Sequence, residues 1–235
     1  MDEAQALPEK REGRQLNLFQ QITYALGNFG VAFSPAVVAA WLGAFYFGQE
    51  TESKEPILYL GPATFGIIWF LCNALNGPTD PIVGYLSDHT RSRFGRRKPW
   101  VLVGAPMLAL SFFFLWTPAT GTPSLANAAI LFAALFGFWL FFTVVVAPYL
   151  SLLPEITPYN SERIRVSTFM AVCEVFGTGI GAVLPNLFGF AAAGFLFLAT
   201  RHQTMAFFAG CSLVLFFYLS IAFVKERFQP PPKTT

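Results

Sequence analysis

Two carboxylates stand inside long apolar runs of this chain, where an unpaired charge has no ordinary place. Asp80 shares a helical face with Asn73, Asn76, Gly77, Gly84 and Ser87. Facing lipid it would cost about 3 kcal/mol on insertion scales, so it must face protein or water. Two readings stand side by side: Asp80 caps or pairs with a neighbouring helix terminus, or it binds a cation or substrate directly. Glu174 lies near mid-depth of another apolar run, on a face with Met170, Gly177, Thr178, Gly181 and Pro185. Gly177-x-x-x-Gly181 is a spacing that lets a second helix approach closely. Beside such a contact Glu174 is either a neutral hydrogen-bonding acid or a site that gains and loses a proton during a cycle. Asn28, with Gln20, Tyr24 and Gly27 on nearby turns, makes a weaker polar stripe, suited to helix-to-helix glue or to a cavity wall.

A third group is ionic. Arg91, Arg93, Arg96, Arg97 and Lys98 crowd the short stretch that follows Asp88. A nucleic-acid-binding domain carries its basic patch on a charged surface, not in a short loop between apolar runs, so no nucleic-acid partner is expected. The cluster reads as a topology anchor, with a conformational latch as a further role. No serine elbow, metal constellation or phosphate-cradling glycine loop is present, so enzymatic chemistry is not expected. Cys72, Cys173 and Cys211 all lie in apolar sequence, and with two histidines and no Cys-x-x-Cys they suggest neither disulfide nor zinc. No metal and no cofactor are expected. Thr143 and Pro148-Tyr149 read as a bend rather than a ligand site, and Arg201 and His202 as residues of an outer loop.

The elements that must position these residues are membrane spans. Of 235 residues, 54% are hydrophobic and only 12% charged, against about a quarter charged in ordinary soluble domains. The apolar runs are long enough to cross a bilayer and lack the ten-residue alternation of a barrel. Six helical spans are predicted, at about 19–47, 57–86, 99–117, 126–150, 164–196 and 204–224, the first with a kink site at Ser34-Pro35. Every Lys and Arg except Lys54 and Arg201 then falls on one side, which places both termini in the cytoplasm.

Several motifs carry a resemblance. Gly84-x-x-x-Asp88 followed by Gly95-Arg96-Arg97-Lys98 resembles the signature loop between helices two and three of major facilitator superfamily transporters. Asp80-Pro81-x-x-Gly84 and Lys98-Pro99-Trp100 look like the glycoside–pentoside–hexuronide cation symporter branch, the group of melibiose and plant sucrose carriers. Tyr24-x-x-Gly27-x-Phe29-Gly30, the run Pro148-Tyr149-x-Ser151-Leu152-x-Pro154-Glu155, and Glu162-Arg163 agree in order and spacing. The resemblance implies that Asp88, Arg96 and Arg97 form a cytoplasmic latch that holds the outward-open state through the other half of the carrier. It also implies departures. Where melibiose-type carriers hold acids, this chain has Ala32, Asn76 and Val146, so sugar recognition through the acids of helices one and four does not carry over. With single carboxylates at Asp80 and Glu174, a proton is favoured over sodium as the coupling ion.

The resemblance further implies an all-α membrane protein with six transmembrane helices, one half of a twelve-span fold. The expected layout is a tail at 1–18, a bundle at 19–224 and a tail at 225–235 that resembles the start of a central loop. The expected function is secondary transport of a small solute, with a sugar or glycoside as the family's candidate, by cation- or proton-coupled alternating access. Asp80, Glu174, Asn76 and Asn28 would form the ion or substrate site. The alternative is a non-transporting structural or interaction subunit of a larger membrane complex. Expected partners are the lipid bilayer, the solute, and a second six-helix half, a second copy or a larger complex. The plasma membrane or bacterial inner membrane is the expected location.

Overall fold

The structure, a computed structural model, describes residues 15–48, 58–90, 92, 95–191 and 201–224. The sequence expectations for residues 1–14 and 225–235 of the two tails, and for Arg91 and Arg93, fall outside these residues. Everything regular among the described residues is helical: α1 Leu18–Tyr46, α2 Pro62–Asn76, α3 Thr79–His89, α4 Lys98–Phe114, α5 Leu125–Ile156, α6 Asn160–Ala191 and α7 Arg201–Ala222. Helices α1, α5, α6 and α7 contain stretches long and apolar enough to cross a membrane, and α4 is a shorter apolar helix.

The second predicted span, drawn as one helix over 57–86, is two helices that meet at Gly77-Pro78. Pro78 has no N–H to donate and its ring crowds the carbonyl four residues back, which ends α2 at Asn76. The break falls in the polar run Asn76-Gly77-Pro78-Thr79-Asp80-Pro81, between the apolar stretches on either side. Prolines elsewhere are absorbed. α1 continues through Pro35, and α5 runs through Pro148 and Pro154 to Ile156, beyond its predicted end near 150. Ser34 Oγ donates to the Gly30 carbonyl at 3.1 Å, one turn back.

Neighbour relations set the architecture. α1 packs along α6 and α7, α5 along α4 and α2–α3, and α4 against α7. The helices thus follow one another as α6, α1, α7, α4, α5 and α2–α3, so α6 and α2–α3 are the two edges. Among the residues whose burial is described, each edge helix buries a narrow seam: Ile68 and Cys72, then Val83 and Ser87, on one side, and Glu162, Val166, Met170, Gly177 and Gly181 on the other. The α1–α6 seam is tight. A Cβ on Gly177 would lie 2.6 Å from the Phe29 carbonyl oxygen, and one on Gly181 would lie 2.9 Å from that of Phe33. At the centre Tyr24 and Tyr149 stack with centroids 4.9 Å apart, and each hydroxyl donates to the other's backbone carbonyl, at 2.5 and 2.8 Å. Gly27 makes room for this pair, since a Cβ there would sit 2.7 Å from the Tyr149 ring.

Candidate functional site

The break after Asn76 puts three side-chain oxygens together. Asp80 stands in the first turn of α3, where free N–H groups and the helix dipole favour a carboxylate. Thr143, buried on α5, donates to Asp80 Oδ1 at 2.8 Å, and its Oγ1 lies 3.4 Å from Asn76 Oδ1. Thr79 also donates to Asn76, at 2.7 Å to its carbonyl and 2.9 Å to Oδ1. Asp80 itself is exposed, although it shares a face with buried Val83 and Ser87. A carboxylate, an amide oxygen and a hydroxyl thus lie together where α2 gives way to α3. Asp80 and Asn76 were expected here. Thr143, read from sequence as part of a bend, is the hydroxyl that joins them.

The second acid is held in the same manner from the other edge. Asn28 is 5% exposed, and its Nδ2 donates to the Met170 carbonyl at 3.0 Å and to Glu174 Oε2 at 3.2 Å. The close α1–α6 approach at Gly177 brings this amide within reach. Glu174 is otherwise exposed, as is Thr178 one turn further on. Gln20, also placed in the polar stripe of α1, donates instead to the Phe223 carbonyl at 3.0 Å and ties α1 to the end of α7.

The end of the bundle where α1 begins carries the ionic group. Gly95, with φ of 109°, takes a backbone conformation that favours glycine and turns the chain into α4. Arg97 meets Asp88 Oδ1 at 2.9 Å and Glu155 Oε1 at 3.0 Å, and Arg96 meets the same Glu155 oxygen at 2.6 Å and Asp88 at 3.8 Å. Arg97 also donates to the Ser151 carbonyl, and Lys98 to that of Val224. Asp88, Arg96 and Arg97 are therefore together as expected. Glu155 is the acid the sequence reading left out of the group, although it lay in the Pro148–Glu155 run that carried the resemblance. The network joins α3, α4 and α5 within this one chain. At the same end Glu162 accepts from Leu16 N at 2.6 Å, which fastens the start of α6 to the start of α1.

At the opposite end, His202 stacks on Trp116 with centroids 5.8 Å apart and packs against Phe45, so it is an aromatic packing residue there. No group of three or more His, Cys, Asp or Glu residues able to hold a metal occurs among the described residues.

Comparison with known proteins bears on the family. A family model described as MFS/sugar transport protein matches residues 23–235. The inner membrane symporter YicJ of Escherichia coli is 34% identical over 187 residues, covering 74% of this chain and 38% of its own length. The uncharacterized symporter sll1374 of Synechocystis is 29% identical, covering 76% of this chain and 32% of its own length. The sodium-dependent lysophosphatidylcholine symporter 1 of Mus musculus is 28% identical, covering 77% of this chain and 33% of its own length. The chain thus spans about a third of the length of these curated relatives. An all-helical bundle with membrane-length apolar helices and a family match over almost its whole length identifies the chain as an integral membrane protein that belongs to the MFS/sugar transport protein family.

Proposed function

We propose that this chain is a six-span half of a secondary active carrier that moves a small solute by alternating access, coupled to a monovalent cation at Asp80. The observation that carries the reading is the broken second span, with Asp80, Asn76 and Thr143 converging at the break. The symporter relatives support it. In this reading the end with Arg96 and Arg97 is cytoplasmic, by the positive-inside rule, and their network with Asp88 and Glu155 is the latch. The open faces of α2–α3 and α6 receive a second six-span half, and the solute passes between the halves. A polar sugar and an amphipathic lysophospholipid are both candidate solutes, since relatives of both descriptions match.

The test is uptake into proteoliposomes by the carrier containing this chain, with a glycoside and a lysophospholipid offered in parallel. Imposed sodium and proton gradients are compared. Gradient-driven uptake of one solute that is lost in Asp80→Asn supports the proposal, and the effective gradient names the ion. Well-folded protein that moves neither solute under either gradient favours the alternative, a non-transporting subunit.

A further inference from the structure

The first three spans and the last three are interchangeable in the neighbour pattern. Exchanging α1 with α5, α2–α3 with α6, and α4 with α7 reproduces the same principal contacts: α1 on α6 becomes α5 on α2–α3, α1 on α7 becomes α5 on α4, and α4 on α7 is unchanged. The exchange also relates the two acids. Asp80 and Glu174 are both on edge helices, and each is exposed. Each accepts from a buried polar side chain of the inner helix beside it, Thr143 of α5 or Asn28 of α1. Each also has an oxygen-bearing side chain one turn away, on opposite sides of the two acids: Asn76 precedes Asp80, and Thr178 follows Glu174, the position one turn before it being Met170.

We infer that Glu174 and Thr178, with Asn28 holding the carboxylate in place, form a second monovalent-cation site, the counterpart of the Asp80 site in the other half of the internal repeat. This rests on the reading of Asp80 as a cation site. The division of labour is the same in both. The inner-helix donor occupies one carboxylate oxygen, Oδ1 of Asp80 or Oε2 of Glu174, and leaves the other for the ion. The neighbouring side-chain oxygen supplies a further ligand, and hard cations take oxygen ligands. Glu174 lies roughly 21 Å along α6 from Asn160, at mid-depth of a span, where a carboxylate without a counter-charge is costly. Asn28 is a positioning residue, because its amide fixes the carboxylate without touching the ion.

The two sites can be read separately in one sample. A hydrophobic carbodiimide adds covalently to membrane carboxyl groups, and mass spectrometry of the digested chain reports labelling at Asp80 and Glu174 independently. The purified chain in detergent is labelled at constant pH and ionic strength with sodium chloride titrated against choline chloride. Sodium is expected to protect both acids. In Asp80→Asn, protection of Glu174 should persist at a half-protecting concentration within about threefold of the parent value, since the sites share no ligand. Asn28→Ala should raise that concentration about tenfold at Glu174 and leave Asp80 unmoved. Protection of Asp80 alone would overturn the second site and leave the Asp80 reading standing. Protection of neither acid would overturn both.

Discussion

The contact between α1 and α6 holds Glu174 in place, and Gly177→Ala tests it with the smallest possible perturbation. The new methyl carbon would lie 2.6 Å from the Phe29 carbonyl oxygen, 3.2 Å from Phe33 N and 3.3 Å from Ala32 Cβ. The first two are backbone atoms of a continuous helix and cannot swing aside. α6 must therefore retreat by about 0.5 Å or more to restore an ordinary contact distance. The Asn28–Glu174 hydrogen bond is 3.2 Å long at the start, so the retreat takes it to the edge of bonding distance. Overpacking of this kind costs about 1–3 kcal/mol, while replacing Gly by Ala inside a helix returns about 1 kcal/mol. Gly179 is the control, two residues away on the same helix, where an added Cβ would meet nothing within 4 Å. Gly179→Ala should gain the helix propensity alone. The two variants should thus differ by about 2 kcal/mol, or about 4–8 °C in melting temperature for a chain of this size. Thermal unfolding in detergent measures the difference, and a double-mutant cycle with Asn28→Ala asks whether the bond is lost. Coincident melting curves, or an Asn28→Ala penalty that is undiminished in Gly177→Ala, would refute the reasoning.

Glu155 should matter more to the ionic network than Asp88. Its side chain is 21% exposed and serves both arginines at 2.6 and 3.0 Å, while that of Asp88 is 49% exposed. Glu155→Gln should cost about 1–3 kcal/mol, and Asp88→Asn less than about 1 kcal/mol after solvent screening, as chemical denaturation of the two variants would measure. Pro78→Ala restores a donor at the break and favours one continuous helix by up to about 3 kcal/mol of propensity. The variant should melt no lower than the parent, yet lose sodium protection of Asp80, because a straightened span carries the carboxylate away from Thr143.

The legible part of this molecule was whatever depends on one helix at a time. Apolar runs marked the helices, Gly177 and Gly181 announced a close helix contact, and the spacing of Asp80, Asn76 and Ser87 put them on one face. Contacts that join separate helices were visible only through motifs. Thr143 is an ordinary hydroxyl in an apolar run until the α2–α3 break lays Asn76 and Asp80 beside it. Glu155 follows a proline that suggests a helix end, yet α5 continues through Pro154 and presents the acid to Arg96 and Arg97. The tilt toward a proton over sodium came from counting carboxylates, and that count omits the amide oxygen of Asn76, which a metal cation can use and a proton transfer does not need.

The two edges of the bundle differ in a way that bears on how ion binding could reach the latch. The α6 edge is held to α1 by glycines in contact with backbone, whereas the other edge is interrupted at Gly77-Pro78, where the dihedrals stay in the right-handed helical region while the hydrogen-bond ladder breaks. Beyond that interruption α3 is an eleven-residue helix with Asp80 in its first turn and Asp88 in its last. Eight residues of helix separate them, about 12 Å, short enough for α3 to move as a rigid lever. A cation that draws Asp80 toward Thr143 then also sets the position of Asp88 against Arg97. Linkage requires the converse, so loosening the latch must change cation affinity at Asp80. Because Asp88 is half exposed, the coupling should be modest, about 1 kcal/mol or a fivefold change in half-protecting sodium on Asp88→Asn. Glu174, on the α6 edge with no part in the lever, should keep its affinity in the same sample. An equal shift at both acids would mean that the variant loosened the whole bundle, and no shift at Asp80 would mean that α3 does not act as a lever.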